Sequence, residues 1–231
     1  MNSIPARISA LILVTFFSLG MLVTVSQYAG FQTNVGFLNQ KQSYISNSFW
    51  LGAFYIHVFS CFFCLFAGIT QFSKYLLKHQ KELHRVLGKA YMGNIFFVNA
   101  PVGLVLAIYA NGGIISKSAF VVLDLLWFFF TLIALNHAKA KNITRHREFM
   151  IRSYALTLSA ITFRLLKPLF IATTSLQAET IYVIDSWLAF VLNLAIAELI
   201  IYLNRKANLS RKLQVVNNKQ ENTNAKHYRN Q

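Results

Sequence analysis

The segment from His146 to Pro168, HREFMIRSYALTLSAITFRLLKP, has the length and apolar content of a membrane-spanning helix, yet it carries Arg152 and Arg164 within its span. A cation at such depth costs about 2.5 kcal/mol or more even on the mildest insertion scale, so it faces a protein interior or a wet cavity and has partners there. The segment therefore marks the centre of a helix bundle with a polar interior.

Five further apolar runs flank it. The spans cover about residues 8–28, 49–72, 87–109, 118–138, 149–168 and 181–203, each near the roughly 20 residues that cross a bilayer core as a helix. With 55% hydrophobic and only 13% charged residues, the chain is too apolar for a soluble domain of its size. The fold class is all-α: a polytopic transmembrane helix bundle of six spans over residues 1–204, then a basic tail, 205–231, that reads as disordered. The first run is longer than a signal-peptide core and lacks a clear A-x-A site, so it reads as a retained helix; cleavage would leave five spans. Pro168 bends or ends the fifth span, because it removes the backbone bond to the Arg164 carbonyl.

The net charge of +15 does not point to nucleic acid, because the cations lie in short segments between apolar runs. Seventeen of the 22 Lys and Arg residues fall in the N-terminal segment, in the connections after the second and fourth spans, and in the tail. Lys41 and Lys117 are the two cations of the opposite loops. The positive-inside rule then puts both termini in the cytoplasm. A multi-pass protein of the bacterial inner membrane is expected, with the bilayer and its anionic headgroups as partners of the basic loops. The two cysteines, Cys61 and Cys64, share one apolar run, which excludes a disulfide framework and a zinc ribbon.

Helical rise, about 1.5 Å per residue, lets depths be compared across the bundle. His57, Asp124 and Arg164 lie roughly 22, 21 and 22 Å from the cytoplasmic ends of their helices. Asp124 is the acid at the depth of Arg164, so a buried cluster of an Asp124–Arg164 ion pair with His57 beside it is expected, with Asp185 as reserve partner. His57 changes protonation near neutral pH. The cluster then serves as a proton relay or an anion site, or else it only fixes helix register.

A second group gathers at the cytoplasmic edge: Gln71, His84, Tyr91, His137, His146, Arg152, Tyr154 and Glu198. In an alternative reading, two of His84, His137 and His146 are axial ligands of haem b. The plainer reading has them as interfacial histidines near lipid phosphates. Cys61 and Cys64 lack the following His of covalent haem attachment and read as small packing residues.

His84-Arg85 with Gly88, Lys89 and Tyr91 is echoed by His146-Arg147 with Met150, Arg152 and Tyr154, each on a basic loop entering a helix. These segments, together with His57, Gly68, Gln71 and Arg164-Leu165, resemble a bacterial family of predicted membrane proteins known as domain of unknown function 2306. That resemblance implies membrane placement and supplies no activity. The expected function is binding or moving a small solute or protons, with no catalytic residue assigned. A haem-binding electron carrier and a non-catalytic scaffold are the alternatives.

Overall fold

The computed structural model describes residues 4–229, and among them every regular element is helical. Helix α1 (Ile4–Ser26) leads into an outer segment folded as two 3₁₀ turns, Gly36–Gln40 and Gln42–Tyr44. Asn47 then starts α2 (Ser48–Gln71) by accepting from the Phe49 and Trp50 N–H groups, both at 3.1 Å, which satisfies two of the four free donors of a helix start. A short helix, α3 (Lys74–His79), capped by Ser73, turns the chain back into α4 (Lys81–Asn94).

Helix α4 runs without a break through a π turn, Ile95–Asn99, into α5 (Ala100–Ile108). Pro101 lies just past the π turn and offers no N–H to the Phe97 carbonyl, so the ladder is already broken where the extra residue is inserted. Gly112 and Gly113, with φ of 77° and 66°, make the tight turn that follows, a left-handed conformation that glycine adopts without steric cost. Helix α6 (Gly113–Lys139), α7 (Ile143–Thr173) and α8 (Ala178–Arg229) complete the chain.

Five helical stretches are long and apolar enough to cross a membrane: α2, the α4–α5 unit, α6, α7 and α8 up to Asn218. Helix α1 adds a shorter apolar stretch, Ile12–Ser26. The outward faces are apolar, with Phe97 82% and Ile114 79% exposed, as a lipid-facing surface requires. Helix α7 is the hub. It packs most extensively on α6 and α8 and also touches α2 and α1. Its Tyr154 ring lies directly on Gly68 of α2, where any Cβ would collide with the ring; small residues at such crossings let membrane helices approach.

Of the bend or end expected at Pro168, the end does not occur, because α7 continues to Thr173, where the Thr173 and Thr174 hydroxyls donate to the Leu169 and Phe170 carbonyls at 2.7 Å. Proline's fixed φ suits a helix, and the loss is one backbone bond. Residues 205–229 of the expected tail continue α8. They contain no Gly and no Pro, the residues that most often end a helix. Residues 230–231 of the expected tail lie outside the described residues.

On the α1–α2 side the outer segment forms a cap. Leu38 packs with Tyr28, Trp50 and Phe54, and the fully buried Lys41 donates to the Tyr109 carbonyl and to Asn111 Oδ1, its ammonium lying 5.2 Å from the centre of the Tyr44 ring. One lysine thus ties the cap to the α5–α6 turn. Burial first, and the charge of Lys117 second, hold the Lys41 ammonium below its ordinary pKa of 10.5. The unfolded chain then binds the extra proton, so this residue's contribution to stability rises with pH between the lowered value and 10.5, and is smallest below it. The difference in Tm between the wild type and Lys41→Met is expected to move in favour of the wild type as pH rises through that window, measured by thermal unfolding in detergent.

Candidate functional site

One face of α2 carries His57, Cys61, Cys64, Gly68 and Gln71 at helical spacing, and the π turn meets it with two amides. Five residues apart in an α-helix, Asn94 and Asn99 would point about 140° away from each other. The wider π turn brings both to the same side. Cys61 Sγ and Ser60 Oγ each donate to Asn99 Oδ1 at 2.9 Å, while Asn94 Nδ2 donates to the Ser60 carbonyl at 2.8 Å and to Cys64 Sγ at 3.2 Å. His57 lies one turn further out, its ring nitrogen 3.5 Å from Cys61 Sγ.

The expected Asp124–Arg164 ion pair does not form. Among the described residues, the ion pairs join other groups. Equal depth fixes only height, and the two side chains leave their helices in different directions. Arg164 curls back to donate from Nη1 to the Ala160 carbonyl of its own helix at 2.9 Å and stays accessible. Asp124 instead faces α5 and is buried against Gly103, where an added Cβ would sit 2.7 Å from Oδ1. Its Oδ2 is buried without a hydrogen-bond partner. No hydrogen bond or ion pair joins His57, Asp124 and Arg164 to one another among the described residues. Asp185, the reserve partner, is fully buried on α8 with both oxygens unpartnered, next to Ser186, whose hydroxyl meets Ser116 of α6 at 3.3 Å.

One turn below Asp124, toward the end of α6, the interior changes to hydroxyl groups. Tyr91 of α4 has its phenol 2.8 Å from Thr157 Oγ1 and 3.0 Å from Ser153 Oγ, both on α7. Ser153 Oγ is 2.7 Å from Thr131 Oγ1 of α6, and Trp127 Nε1 donates to the Tyr91 oxygen at 3.4 Å. All five residues are buried. Each polar atom thus has the partner that a membrane interior demands.

The edge group divides into pairs. Arg152 forms a two-pronged bond to Glu198, at 2.5 and 2.9 Å, with its guanidinium 4.8 Å from the Phe149 ring centre. One turn nearer the start of α7, Glu148 accepts two bonds from Arg205, each 2.6 Å. The two pairs alternate in sign along the α7–α8 seam, which holds α8 in register past the membrane. Tyr154 donates to the Leu65 carbonyl at 3.0 Å. Gln71, with its amide nitrogen turned toward His84, donates to His84 Nδ1 and accepts from the Gly88 N–H, both at 3.3 Å. His146 Nδ1 lies 2.8 Å from the Ala134 carbonyl, and His137 stacks on Phe149. The three histidines of the haem alternative therefore each have a protein partner. A haem held by His84 and His146 would use their Nε2 atoms.

Sequence reasoning missed Asn99, Ser60, Ser153, Thr157, Glu148 and Arg205. Asn99 was hidden because its spacing from Asn94 fits no α-helical face. Ser153 and Thr157 sit four apart in α7 beside Tyr154, a polar stripe that the cations of the same helix obscured. Glu148 and Arg205 could have been found by counting back from Arg152 and forward from Glu198 along antiparallel helices.

The comparisons agree with this architecture. No curated protein and no solved structure gives a match to the chain. A family model described as predicted membrane protein (DUF2306) matches residues 54–201, a range that runs from α2 into α8 and includes His57, Asp124 and Arg164. The chain, an all-α protein with several helices able to span a membrane, belongs to this DUF2306 family of predicted membrane proteins.

Proposed function

We propose that this is a multi-pass membrane protein whose polar interior takes up and releases protons at Asp124. The observation that carries the reading is the Asp124 carboxyl: buried, pressed against Gly103, and with one oxygen that no protein group reaches. An ionised carboxylate left that way in a membrane interior is too costly to keep, and the neutral acid is the state that such surroundings favour. None of the ion pairs among the described residues involves it, so the group can change state instead of being locked in an ion pair. A site of this kind binds and passes on protons; it needs no chemistry on a substrate.

Dicyclohexylcarbodiimide tests the reading, because it adds to a carboxyl only in the protonated form. The carboxyl proton passes to a carbodiimide nitrogen as the carboxyl oxygen bonds to its central carbon. Peptide mapping by mass spectrometry is expected to find the adduct on Asp124, decreasing as pH rises, and to lose it in Asp124→Asn. An Asp124 that stays unmodified at every pH would contradict the proposal.

The proposed setting is the bacterial inner membrane, with α1, α2, the α4–α5 unit, α6, α7 and α8 as six spans and both termini cytoplasmic. The distribution of Lys and Arg supports it, as does the placement of the two exposed ends of the α7–α8 ion-pair seam beside the basic α6–α7 connection. Anionic headgroups are the proposed partners of Lys139, Lys141 and Arg147. A single cysteine introduced between residues 139 and 147 is expected to react with an impermeant maleimide only in inside-out vesicles. Reaction in right-side-out cells would reverse the orientation.

A further inference from the structure

We infer that Cys61 and Cys64 are the two ligands of a copper(I) ion on the face of α2 that meets the π turn, a site independent of the Asp124 carboxyl. The two cysteines lie three residues apart on one helix face, and at that spacing Cβ atoms are about 5–6 Å apart. Two metal–thiolate bonds of about 2.3 Å place their sulfurs roughly 4.5 Å from each other, within reach of such a pair by rotation about χ1. No group of three or more His, Cys, Asp or Glu that could hold a metal ion occurs among the described residues. A structural zinc ion, which takes four protein ligands, therefore does not fit. Copper(I) selects soft thiolates and is content with two of them in line.

The surroundings suit sulfur that carries charge. Cys64 is fully buried, and two amide N–H groups point at its Sγ, from Asn94 at 3.2 Å and from Asn99 at 3.8 Å. A thiolate accepts such bonds more strongly than a thiol does. The Asn99 amide touches both sulfurs, because its Oδ1 also takes the Cys61 S–H at 2.9 Å. When that proton leaves, Ser60 Oγ, also at 2.9 Å, remains as a donor to Asn99 Oδ1, so the amide oxygen is not orphaned. Both cysteines belong to or pack on the apolar core of Tyr91, Ile95 and Trp127, which keeps competing water ligands away.

Binding breaks two S–H bonds and forms two S–Cu bonds. Of the two protons released, one passes to His57, whose ring nitrogen is 3.5 Å from Cys61 Sγ, and the other leaves the protein. No electron moves. The copper ion with two thiolates carries one net negative charge, and the imidazolium offsets it where no solvent can.

Cysteines that only pack would show the same contacts and bind nothing. Reduced, purified protein in detergent is titrated under argon against copper(I) held by bathocuproine disulfonate, and the wild type is expected to take up one ion per chain. Asn94→Leu is expected to weaken binding about tenfold, the scale of a lost outer-shell bond, and Cys61→Ser and Cys64→Ser each by roughly a hundredfold or more. Thermal unfolding of the metal-free forms reports whether each variant is folded. Copper K-edge absorption of the wild-type complex needs no variant and should show a shell of two sulfurs. A wild type that takes no copper from the competitor, a shell of nitrogen and oxygen alone, or a Cys61→Ser/Cys64→Ser double variant that binds like the wild type would overturn the site.

Discussion

A membrane interior offers polar atoms no solvent, so every buried donor and acceptor must be satisfied by the protein itself. Most of this structure obeys that constraint closely. The hydroxyls of Thr131, Ser153 and Thr157 bond to one another and to Tyr91, the Asn94 and Asn99 amides reach the α2 thiols, and Arg152 and Glu148 find partners on α8. Against that background an unsatisfied carboxylate oxygen on Asp124 is informative. The buried side-chain atoms left without a partner among the described residues are Ser18 Oγ, Trp50 Nε1, Arg152 Nη1, Asp124 Oδ2 and both Asp185 oxygens, and of these the carboxyls are the groups that can take up a proton.

The device that makes room for this is the π turn within the α4–α5 unit. A regular helix from Lys81 to Ile108 would send Asn94 and Asn99 to different neighbours. The π turn gathers them on α2, and Pro101 removes the backbone bond that would resist it. Beyond the turn, Gly103 presents bare backbone to the Asp124 carboxyl. One local irregularity therefore organises both the thiol–amide contacts and the acid site. Such π turns are found disproportionately where helices carry function.

How much of this could be read from the sequence follows from what each signal measures. Hydropathy reports burial in lipid, so the all-α membrane class and the existence of the long spans were legible. Helix ends were less so. Helices α7 and α8 run beyond Pro168 and Leu203 because hydropathy marks where lipid stops, and a helix stops only at a capping residue. The depth count compares His57, Asp124 and Arg164 by height alone, and height says nothing about direction around a helix axis. That missing angle is why an ion pair was expected where the structure has Arg164 turned back onto its own helix and Asp124 against Gly103. The π turn could not be seen at all, since a one-residue insertion leaves the hydrophobic content of the span unchanged. Asp124 drew attention as an acid within an apolar run; Gly103, against which it packs, gave no signal.

The central claim is that Asp124 exchanges a proton in place. Infrared difference spectroscopy of the protein in lipid reads this directly, through the carbonyl stretch of a protonated carboxyl in apolar surroundings. A band that is absent from Asp124→Asn and that disappears and returns as pH is raised and lowered is the predicted result. A wild-type spectrum in which no band depends on Asp124, or in which that band stays constant across the pH range where the protein is folded, would contradict it.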